Sequence, residues 1–532
     1  MTSENGDHGW AMPRIALVAV LAAGFLAFLP SLLGGFLADD FTYIARFSRL
    51  KISEWPALFT KEWSGGVWGF PLRELRPFAA LSFIIDSRLY GGNPVGYRVT
   101  NMLLHLSAVG LVALMTWRYS RGSLFAAVSA GLIFALHPAH VEPVTWITGR
   151  VDLLGTVAAL VFIVCCERYS ESGRVAFAVT GLIAIFVGLF SKEFCMLAPL
   201  IVLSKWLMLD FSAGATAWKR RGIVLGGSIV LFGVYAFCRT KAFGAEAAGA
   251  NAWNDINAWH RHASHLSWLV PILPLNGLEE WASPPAVATA KRIWIASVGI
   301  GLVALLAVRI ARSWTWACVL FFSVIWYLFT LVPLMVVGYF TPRHLYFPSV
   351  GLAVSLGMLC TMPRVRYLVL CASIIPLAMS HVLVLRPWAK AGSISRDVLG
   401  RVHAALAPGH GSYVLITAVP EKFETALLMA WSMPAGASPP FMDLPPSSKI
   451  IVRPGNYVRP ERWFDELQPA VVLKESTEGF VLYVDEKGAV ISRRLDLRGV
   501  RFASESLDAA IGRGLSPESY TEWVKMLATT TQ

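Results

Sequence analysis

Two adjacent carboxylates, Asp39 and Asp40, follow directly after the first long apolar segment of the chain. A charged group at a membrane boundary costs free energy unless it has a partner or a chemical role. Paired carboxylates in such a place are suited to general-base chemistry. The alternative is a solvated helix cap, because Asp is favoured where a helix begins. Asp39 and Asp40 are therefore the first catalytic candidates, with the cap as the competing interpretation.

A stripe of polar residues opens the next long apolar segment. Tyr97, Asn101 and His105 recur every four residues and therefore share one face of the predicted helix. Such a stripe either joins neighbouring helices or lines a cavity. Just before this segment, Arg76 precedes an amphipathic stretch, 78–89, which is predicted to lie along the membrane surface.

Two histidines and a glutamate, His137, His140 and Glu142, form an H-x-x-H-x-E pattern. This spacing could suggest zinc, but Pro138 and Pro143 argue against one continuous helix, and the pattern is not the H-E-x-x-H of zinc proteases. The pattern therefore does not indicate a metal site. No cofactor is predicted, although a divalent ion would be compatible with these residues.

Several cations accompany the carboxylates. Arg150 could bind an anion, because a fixed guanidinium matches the geometry of phosphate oxygens. An internal ion pair with Asp152 or Glu142 explains Arg150 equally well. Lys192 and Arg343 add two more basic sites, for which the alternative is that the side chains simply extend to the membrane interface. Carboxylates and cations that gather near hydrocarbon would fit a lipid phosphate substrate.

The elements that must position these residues are membrane helices. Of the 532 residues, 55% are hydrophobic and 15% are charged, against about 25% charged in an ordinary soluble domain. The apolar residues form blocks of about 17–25 residues, the length that a helix needs to cross about 30 Å of hydrocarbon. About eleven spans are predicted, at 14–36, 98–117, 123–137, 152–166, 175–191, 194–212, 222–238, 293–311, 314–337, 345–361 and 366–385.

Arginine and lysine residues orient these spans, because they concentrate in alternate short connections, which the positive-inside rule assigns to the cytoplasm. These connections contain Arg118 and Arg121, Arg168 and Arg174, Lys219 to Arg221, Arg309 and Arg312, and Arg364 and Arg366. The outer loops are then 37–97, 138–151 and 239–292, and the turn 191–193, the segment 338–344 and the tail from Arg386 lie on the same side, with Lys291 and Arg292 as exceptions to the rule. Within the third loop, 265–283 is predicted to be re-entrant or interfacial because of its prolines and glutamates.

A water-soluble tail is predicted to begin near Arg386 and to form a small α/β domain over 386–532. Short β-prone runs alternate there with helical stretches. The runs are Tyr413–Val419, Lys449–Val452, Ala470–Leu473 and Phe480–Val484, and residues 485–488 predict a hairpin turn into Ala489–Ser492.

Charge and cysteine content argue against two other interpretations. The net charge of +12 could suggest nucleic-acid binding, but the basic residues are spread between the spans and do not form one aromatic-rich patch. The seven cysteines all lie in or beside apolar blocks, which favours packing roles over disulfides or metal ligation. Nucleic acid is therefore not expected as a partner.

In their order and spacing, the motifs resemble the transmembrane and TPR-containing O-mannosyltransferases and their bacterial relatives, within the GT-C superfamily of polyprenyl-phosphate-sugar-dependent glycosyltransferases. The matching pieces are Asp39-Asp40, Arg76-Pro77, 94–105, 137–142, 149–154, Lys192-Glu193 and 343–349. They cover about residues 30–360 and are more specific together than any one of them. The chain differs from the animal members by showing no 34-residue helical repeat and by carrying a short α/β tail.

The resemblance implies a GT-C-like membrane fold over 1–385 and an inverting glycosyltransferase. Such an enzyme moves a sugar from a polyprenyl-phosphate donor to a hydroxyl of a glycan, lipid or protein acceptor. Asp40 or Asp39 would be the general base that takes the acceptor proton. Arg150, Lys192 and Arg343 would stabilise the negative charge that grows on the departing phosphate.

The resemblance also implies a wider set of substrate-binding candidates. Beyond the three cations, these are Arg76, Tyr97, Asn101, His105, His137, His140, Glu142, Asp152, Glu193 and Tyr346. Glu142 and Asp152 would position the acceptor or orient the cations. The predicted location is a bacterial inner membrane, with the site and the tail on the periplasmic side.

Two other functions remain open from the sequence. A transporter or flippase for a lipid-linked or anionic substrate would also place polar residues in membrane helices, and it should show inverted repeats with broken helices. An assembly subunit would use the tail to recruit a partner.

Overall fold

The structure is a computed structural model that describes 12–65, 73–244, most of 318–330, 341–363 and 366–405. In the tail it describes 413–418, 422–424, 426–428, 440–441, 449–452, 478–484 and 489–496. Several predicted features lie outside the described residues. They are the span 293–311, most of the span 314–337, the segment 265–283, the strand at 470–473 and the hairpin turn at 485–488.

The described residues are mostly α-helical. The helices are α1 (Arg14–Phe28), α2 (Asp40–Arg49), α3 (Pro77–Tyr90), α4 (Pro94–Tyr119), α5 (Leu124–Ala135), α6 (Val141–Thr145), α7 (Arg150–Ser172), α8 (Val175–Leu189), α9 (Ala198–Leu209), α10 (Ala215–Phe243), α11 (Pro348–Leu359) and α12 (Arg366–Ala405). Short 3₁₀ helices lie between several of them, at Ile52–Phe59, Pro138–His140, Ile147–Gly149, Glu193–Leu197 and Pro342–Leu345.

Five of the described helices are long and apolar enough to cross a membrane. They are Arg14–Ser31, Pro94–Tyr119, Ile147–Ser172, Ala215–Phe243 and Arg366–Ala404. A sixth span results if Leu124–Ala135 and Pro138–Thr145, which meet at 51°, are counted as one. The prediction of an α-helical polytopic membrane protein is therefore confirmed. The predicted number of about eleven spans stays a prediction.

Helix α10 shows how the sequence adapts to lipid. Its buried side chains are few, and Ile229, Val230 and Phe237 are exposed by 71%, 66% and 62%. A row of large apolar side chains facing outward is unfavourable in water but stable in hydrocarbon. The exposed face of α10 is accordingly its lipid face.

Close helix packing depends on small residues. A Cβ on Gly131 of α5 would lie 2.7 Å from Val20 of α1, and a Cβ on Gly357 of α11 would lie 2.7 Å from the Ala126 carbonyl of α5. Small residues let membrane helices approach closely, because association there depends on van der Waals packing. Helix α5 is thus enclosed by α1, α4 and α11.

Charged residues gather at two opposite ends of the helices. The arginine-rich end contains the ion pairs Arg118–Glu171 (2.8 Å) and Lys205–Asp210 (2.6 Å). The opposite end, which we call the acid–base end, contains the start of α7 with Asp152. Because α7 rises 1.5 Å per residue, Asp152 and Glu167 of the same helix lie roughly 22 Å apart along its axis.

The last membrane helix extends further than the sequence suggested. Helix α12 continues from Arg366 to Ala405 and passes through Pro376 and Pro387. The predicted boundary at 385/386 therefore falls inside a helix. Arg386 marks where the apolar side chains end, but charged residues are also good helix formers, so the backbone continues unchanged.

The tail contains a four-stranded sheet in the order β4-β1-β5-β6. The strands are β1 (Tyr413–Ala418), β4 (Lys449–Val452), β5 (Glu478–Val484) and β6 (Val490–Asp496), and a separate hairpin joins β2 (Lys422–Phe423) to β3 (Ala426–Leu427). β1 is parallel to β4 and β5, and β6 is antiparallel to β5. The predicted strands in these described segments are confirmed, as is the pairing of β5 with β6.

Candidate active site

Asp40 is the first residue of α2 and is fully buried. Its Oδ2 accepts a 2.9 Å hydrogen bond from the Leu37 N–H, and its Oδ1 accepts two 2.8 Å bonds from the N–H and hydroxyl of Thr148. Burial raises the pKa of the Asp40 carboxyl to about 6, although these hydrogen bonds oppose the rise. Both oxygens are thus engaged inside the protein.

Asp39 differs from Asp40 in its exposure, because it is only partly buried. It follows Ala38, whose φ of 42° lies in the left-handed region. A non-glycine residue in that region costs about 1–2 kcal/mol, and such strain is frequent at functional sites. Of the adjacent pair, Asp39 is therefore the more exposed residue.

The loop 34–41, which carries both carboxylates, is held by Arg98 of α4. Its guanidinium donates to the carbonyls of Gly34 and Gly35 and, at 3.2 Å, to the carbonyl of Thr145. Sequence reasoning missed Arg98 as a functional residue. The available signal was an arginine at the beginning of an apolar block, directly after Tyr97.

A second group of charged residues, cations and carboxylates, is centred on Asp152. Lys192 Nζ is 3.3 Å from Asp152 Oδ1, and Arg343 Nε is 3.8 Å from Asp152 Oδ2. Arg343 also contacts Glu142 at 2.6 Å and lies over the ring of Trp146. Asp152 is nearly fully buried, but the side chains of Lys192 and Arg343 are 12% and 13% exposed. The cations therefore line the accessible edge of the cluster.

Arg76 extends this cluster. Its guanidinium lies 2.7 Å from Glu74, 3.8 Å from Glu193 and over the ring of Trp63. Burial alone would raise the pKa of Glu193, but Arg76 and Lys192 lower it below its ordinary value. We refer to Arg76, Lys192 and Arg343 as the cation cluster.

Among the cation cluster and the carboxylates that pair with it, two buried polar atoms have no hydrogen-bond partner within the described residues. They are Asp152 Oδ2 and Arg76 Nε. Buried polar groups are ordinarily paired, and exceptions call for an explanation such as a missing ligand or water. The cation cluster therefore has hydrogen-bonding capacity for a polar ligand.

Arg239 of α10 adds a fourth cation at this edge that sequence reasoning missed. Its Nη1 lies 3.7 Å from Glu193. In the sequence, Arg239 only marks the end of an apolar block, and nothing local relates it to Glu193.

Arg150 is part of an internal network and not of the accessible edge. Its Nε donates to Asn101 at 2.8 Å, its Nη2 lies 2.6 Å from Asp86 and also donates to the Tyr97 carbonyl, and its Nη1 reaches Ser82. The side chain is 0% exposed. The internal-pair alternative thus describes Arg150, but the partner is Asp86 and neither Asp152 nor Glu142.

The polar stripe of α4 joins helices. Asn101 donates weakly toward four carbonyls of the segment 143–147, at 3.3–3.5 Å, and accepts from Arg150. The Tyr97 hydroxyl donates to the Gly91 carbonyl at 2.8 Å. Of the two interpretations offered by the sequence, these contacts match the one in which the stripe holds neighbouring segments together.

The histidines form a separate buried cluster. His105 shares a 2.8 Å hydrogen bond with the Tyr346 hydroxyl, and His140 shares one of 2.8 Å with the Ser349 hydroxyl. The His137 and His140 rings stack with centroids 4.9 Å apart. His137 precedes and His140 ends a 3₁₀ turn that bends away from α5, so the prolines do prevent one continuous helix. Across the described ranges, no group of three or more ligating side chains could hold a metal ion.

The carboxylate loop and the cation cluster meet at the beginning of α7. Thr148, which binds Asp40, lies four residues before Asp152, which contacts both Lys192 and Arg343. Four residues correspond to about one helical turn, or roughly 6 Å. The structure therefore brings the loop that contains Asp39 and Asp40 and the partly exposed cations Lys192 and Arg343 to the same end of α7.

Comparison with curated proteins finds relatives that are named protein O-mannosyl-transferases. No protein-family model matches the chain. It is 31% identical over 259 residues to the protein O-mannosyl-transferase Tmtc2 of Drosophila melanogaster. The matched region covers 44% of this chain and 26% of that protein. The chain is 29% identical over 242 residues to TMTC4 of Mus musculus, covering 41% and 29%. The chain is similar in sequence to the TMTC protein O-mannosyl-transferases. This confirms the resemblance inferred from the motifs.

The similarity to the TMTC proteins is partial. The chain spans less than a third of the length of these two relatives. Among solved structures, the apo oligosaccharyltransferase of Archaeoglobus fulgidus has a TM-score of 0.41 at 13% identity, covering 75% of this chain and 62% of that chain. ArnT of Cupriavidus metallidurans bound to undecaprenyl phosphate has a TM-score of 0.36 at 14% identity, covering 89% and 93%.

Proposed function

We propose that this protein is a membrane glycosyltransferase that moves a sugar, mannose in the first instance, from a polyprenyl-phosphate donor to an acceptor hydroxyl. The observation that carries the proposal is that the loop containing Asp39 and Asp40 and the cation cluster both contact residues at the beginning of α7, the loop through Asp40 and Thr148 and the cations through Asp152. The names of the TMTC relatives support the reaction class and the choice of mannose.

Asp39 is the proposed general base. The acceptor oxygen attacks the anomeric carbon while its proton passes to the Asp39 carboxylate. The bond between the anomeric carbon and the phosphate oxygen breaks, and the electron pair leaves with the phosphate. A single displacement of this kind inverts the anomeric configuration. Asp40 is assigned a supporting role, because both of its oxygens already accept hydrogen bonds from the protein.

The cation cluster is the proposed binding site for the donor phosphate. A leaving phosphate gains negative charge in the transition state, and preorganised cations in a water-poor site stabilise such charge strongly. Lys192 and Arg343 are partly exposed and share the Asp152 carboxylate, so a phosphate can approach both. The isoprenoid chain would lie along the apolar surface of the neighbouring helices. Arg150 is not included, because all three of its nitrogens contact protein groups.

The proposed location of the site is the extracytoplasmic side, which in a bacterium is the periplasmic side of the inner membrane. The arginine-rich end contains Arg118, Arg174 and Arg220, and the acid–base end lies opposite. Arginine and lysine favour the cytoplasmic side of short connections. From this bias we assign Asp39 to the extracytoplasmic side.

The test is transfer of labelled mannose from polyprenyl-phosphate mannose to hydroxyl-bearing peptides and glycans by the purified full chain in lipid nanodiscs. We expect Asp39→Asn to reduce turnover by at least 100-fold. The matched control is Asp397→Asn, since Asp397 is an exposed carboxylate on α12, and it should keep full activity. Ordinary turnover by Asp39→Asn would contradict the base assignment, and movement of the intact donor lipid across the bilayer without sugar transfer would favour a flippase.

A further inference from the structure

The loop 34–41 and the residue before it are hydrogen-bonded to the C-terminal part of α12. The Gly35 N–H donates to the Gly392 carbonyl at 2.7 Å, and the Ser395 hydroxyl donates to the Phe36 carbonyl at 2.5 Å. The Arg396 guanidinium donates to the Leu33 carbonyl at 2.7 Å. These bonds engage the backbone of the loop, so they constrain its path directly.

Two glycines allow the loop and α12 to approach this closely. A Cβ on Gly35 would lie 2.9 Å from the Gly392 carbonyl oxygen, and a Cβ on Gly392 would lie 2.9 Å from the Gly34 Cα. Since real Cβ atoms do not reach such distances to backbone atoms, any side chain at either position would push the two backbones apart. The close contact between the loop and α12 therefore depends on both glycines.

Phe441, further along the tail, packs against two aromatic residues of the loop, one before and one after the carboxylate pair in the sequence. Its ring centroid lies 4.9 Å from that of Phe36 and 5.2 Å from that of Phe41, in edge-to-face geometry. Phe36 and Phe41 are fully or almost fully buried, and they flank the segment that contains Asp39 in the sequence. Aromatic pairs in this arrangement fix ring orientation as well as burying area.

The main chain of the tail completes the attachment. The Ala38 N–H donates to the carbonyl of Leu428, which follows β3 and is fully buried. Ala38 has the left-handed φ of 42°, a conformation that alanine adopts only when its surroundings impose it. Because Ala38 directly precedes Asp39, the bond to Leu428 acts on the residue that sets the direction of the Asp39 side chain.

We propose that the tail is a positioning element of the active site, in which Phe441 and Leu428 hold Ala38 in its left-handed conformation and thereby direct the Asp39 carboxylate. The catalytic consequence rests on the proposed function, but the conformational hold does not. Phe441 is a positioning residue, since it acts on Asp39 through the loop.

Two measurements on the full chain in nanodiscs test the conformational hold. Amide hydrogen exchange of peptides covering 34–41 should become at least 10-fold faster in Phe441→Ala and change little in Phe441→Leu, which keeps an apolar side chain. Ser395→Ala, which removes the bond to Phe36, should also accelerate it. Phe211→Ala is the matched control, because Phe211 is 69% exposed and precedes α10 at the arginine-rich end. Unchanged exchange in both Phe441→Ala and Ser395→Ala would overturn the proposal.

The catalytic readout is a rescue experiment. Phe441→Ala should lower kcat by roughly 10-fold with little change in the donor KM, because Ala38 then leaves its strained conformation. Glycine adopts positive φ without strain, so Ala38→Gly combined with Phe441→Ala should recover most of the roughly 10-fold loss of kcat caused by Phe441→Ala alone. If the loss of kcat in the double variant equalled the product of the losses in the two single variants, the proposal would be overturned. If the wild-type chain transferred no sugar, the proposed function would fail, and the exchange comparison alone would still decide whether the tail holds the loop.

Discussion

Thr148 donates two hydrogen bonds of 2.8 Å to one oxygen of Asp40, one from its N–H and one from its hydroxyl. Thr148 lies just before α7, and Asp40 begins α2. The contact therefore ties the carboxylate loop to the helix that carries Asp152. Because Asp40 is fully buried, this tie also has an electrostatic cost that depends on pH.

The stability of the folded protein should fall as Asp40 ionises. Burial raises the pKa of Asp40 from 3.8 to about 6, so the folded protein holds this proton more tightly than the unfolded chain does. The resulting stabilisation is complete below about pH 4 and is lost as pH rises through 6, a change of about 3 kcal/mol. Thermal unfolding in detergent between pH 4 and pH 8 measures it.

Asp40→Asn should remove this part of the pH dependence, because asparagine does not titrate. Asp397→Asn should retain it, since Asp397 is exposed by 50%. An identical pH profile for wild type and Asp40→Asn would contradict the prediction.

The Arg150–Asp86 pair should contribute to stability and not to donor binding. Its side chains are 0% and 5% exposed, and removing one partner of a buried pair leaves an uncompensated charge. Asp86→Ala should therefore lower the free energy of unfolding by about 3–5 kcal/mol. Glu171→Ala, which breaks the exposed pair with Arg118, should cost less than about 1 kcal/mol. Unfolding in denaturant measures both.

Measuring donor affinity distinguishes a stabilising role of Arg150 from a role in donor binding. The folded fraction of Asp86→Ala should bind polyprenyl phosphate as wild type does. A 10-fold weaker affinity with normal stability would instead indicate that Arg150 contacts the donor.

Lys192 should give donor binding an alkaline limit below that of an ordinary lysine. Burial lowers the pKa of its ammonium group, although Asp152 opposes the change. Since only the protonated form attracts phosphate, binding weakens as pH rises through this lowered pKa. Lys192→Arg should move the limit to higher pH, because arginine stays protonated. Titration of labelled polyprenyl phosphate between pH 6 and pH 10 measures the shift.

Lys192→Gln should weaken donor binding by about 10- to 100-fold at neutral pH, since hydrogen bonds to charged groups contribute about 1.5–3 kcal/mol. Lys219→Gln is the control, because Lys219 is an exposed lysine at the arginine-rich end. Equal affinities for the two variants would place the phosphate away from Lys192.

The orientation of the chain should be visible by cysteine labelling in intact cells. Lys61 and Ser172 are exposed, the first in the segment between α2 and α3 and the second at the end of α7. A membrane-impermeant maleimide should label Lys61→Cys in intact cells and Ser172→Cys only after permeabilisation. Unsubstituted protein sets the background from Cys371, which is exposed on α12. The reverse pattern would place the acid–base end in the cytoplasm.

Periodicity and composition predicted the parts of the fold that depend on local sequence. The apolar blocks predicted α1, α4 and α10 because each must match the thickness of hydrocarbon. The runs of β-prone residues predicted β1, β4 and β5 in the tail. The length of α12 was not predictable in this way, since helix propensity continues past Arg386 although the hydrophobic signal stops there.

Which residues contact each other was harder to predict from the sequence than where the helices and strands lie. The sequence places Arg150 near Asp152 and Glu142, but its partner Asp86 comes from α3, and a pairing between distant elements leaves no local pattern. In the same way, neighbouring positions do not distinguish Asp39 from Asp40. Only the fold shows that one carboxylate is enclosed by Thr148 and Leu37 while the other is partly exposed.

The contact of Gly35 with Gly392, together with that of Ala38 with Leu428, also bears on biosynthesis. Loop 34–41 leaves the ribosome early, but the residues that complete its conformation are made almost 400 positions later. At synthesis rates on the order of 5–20 residues per second, this delay is roughly 20–80 s. A nascent chain with its first helices already inserted therefore lacks the contacts that hold loop 34–41, and under our proposal premature termination before Leu428 would leave an inserted protein whose loop is not positioned.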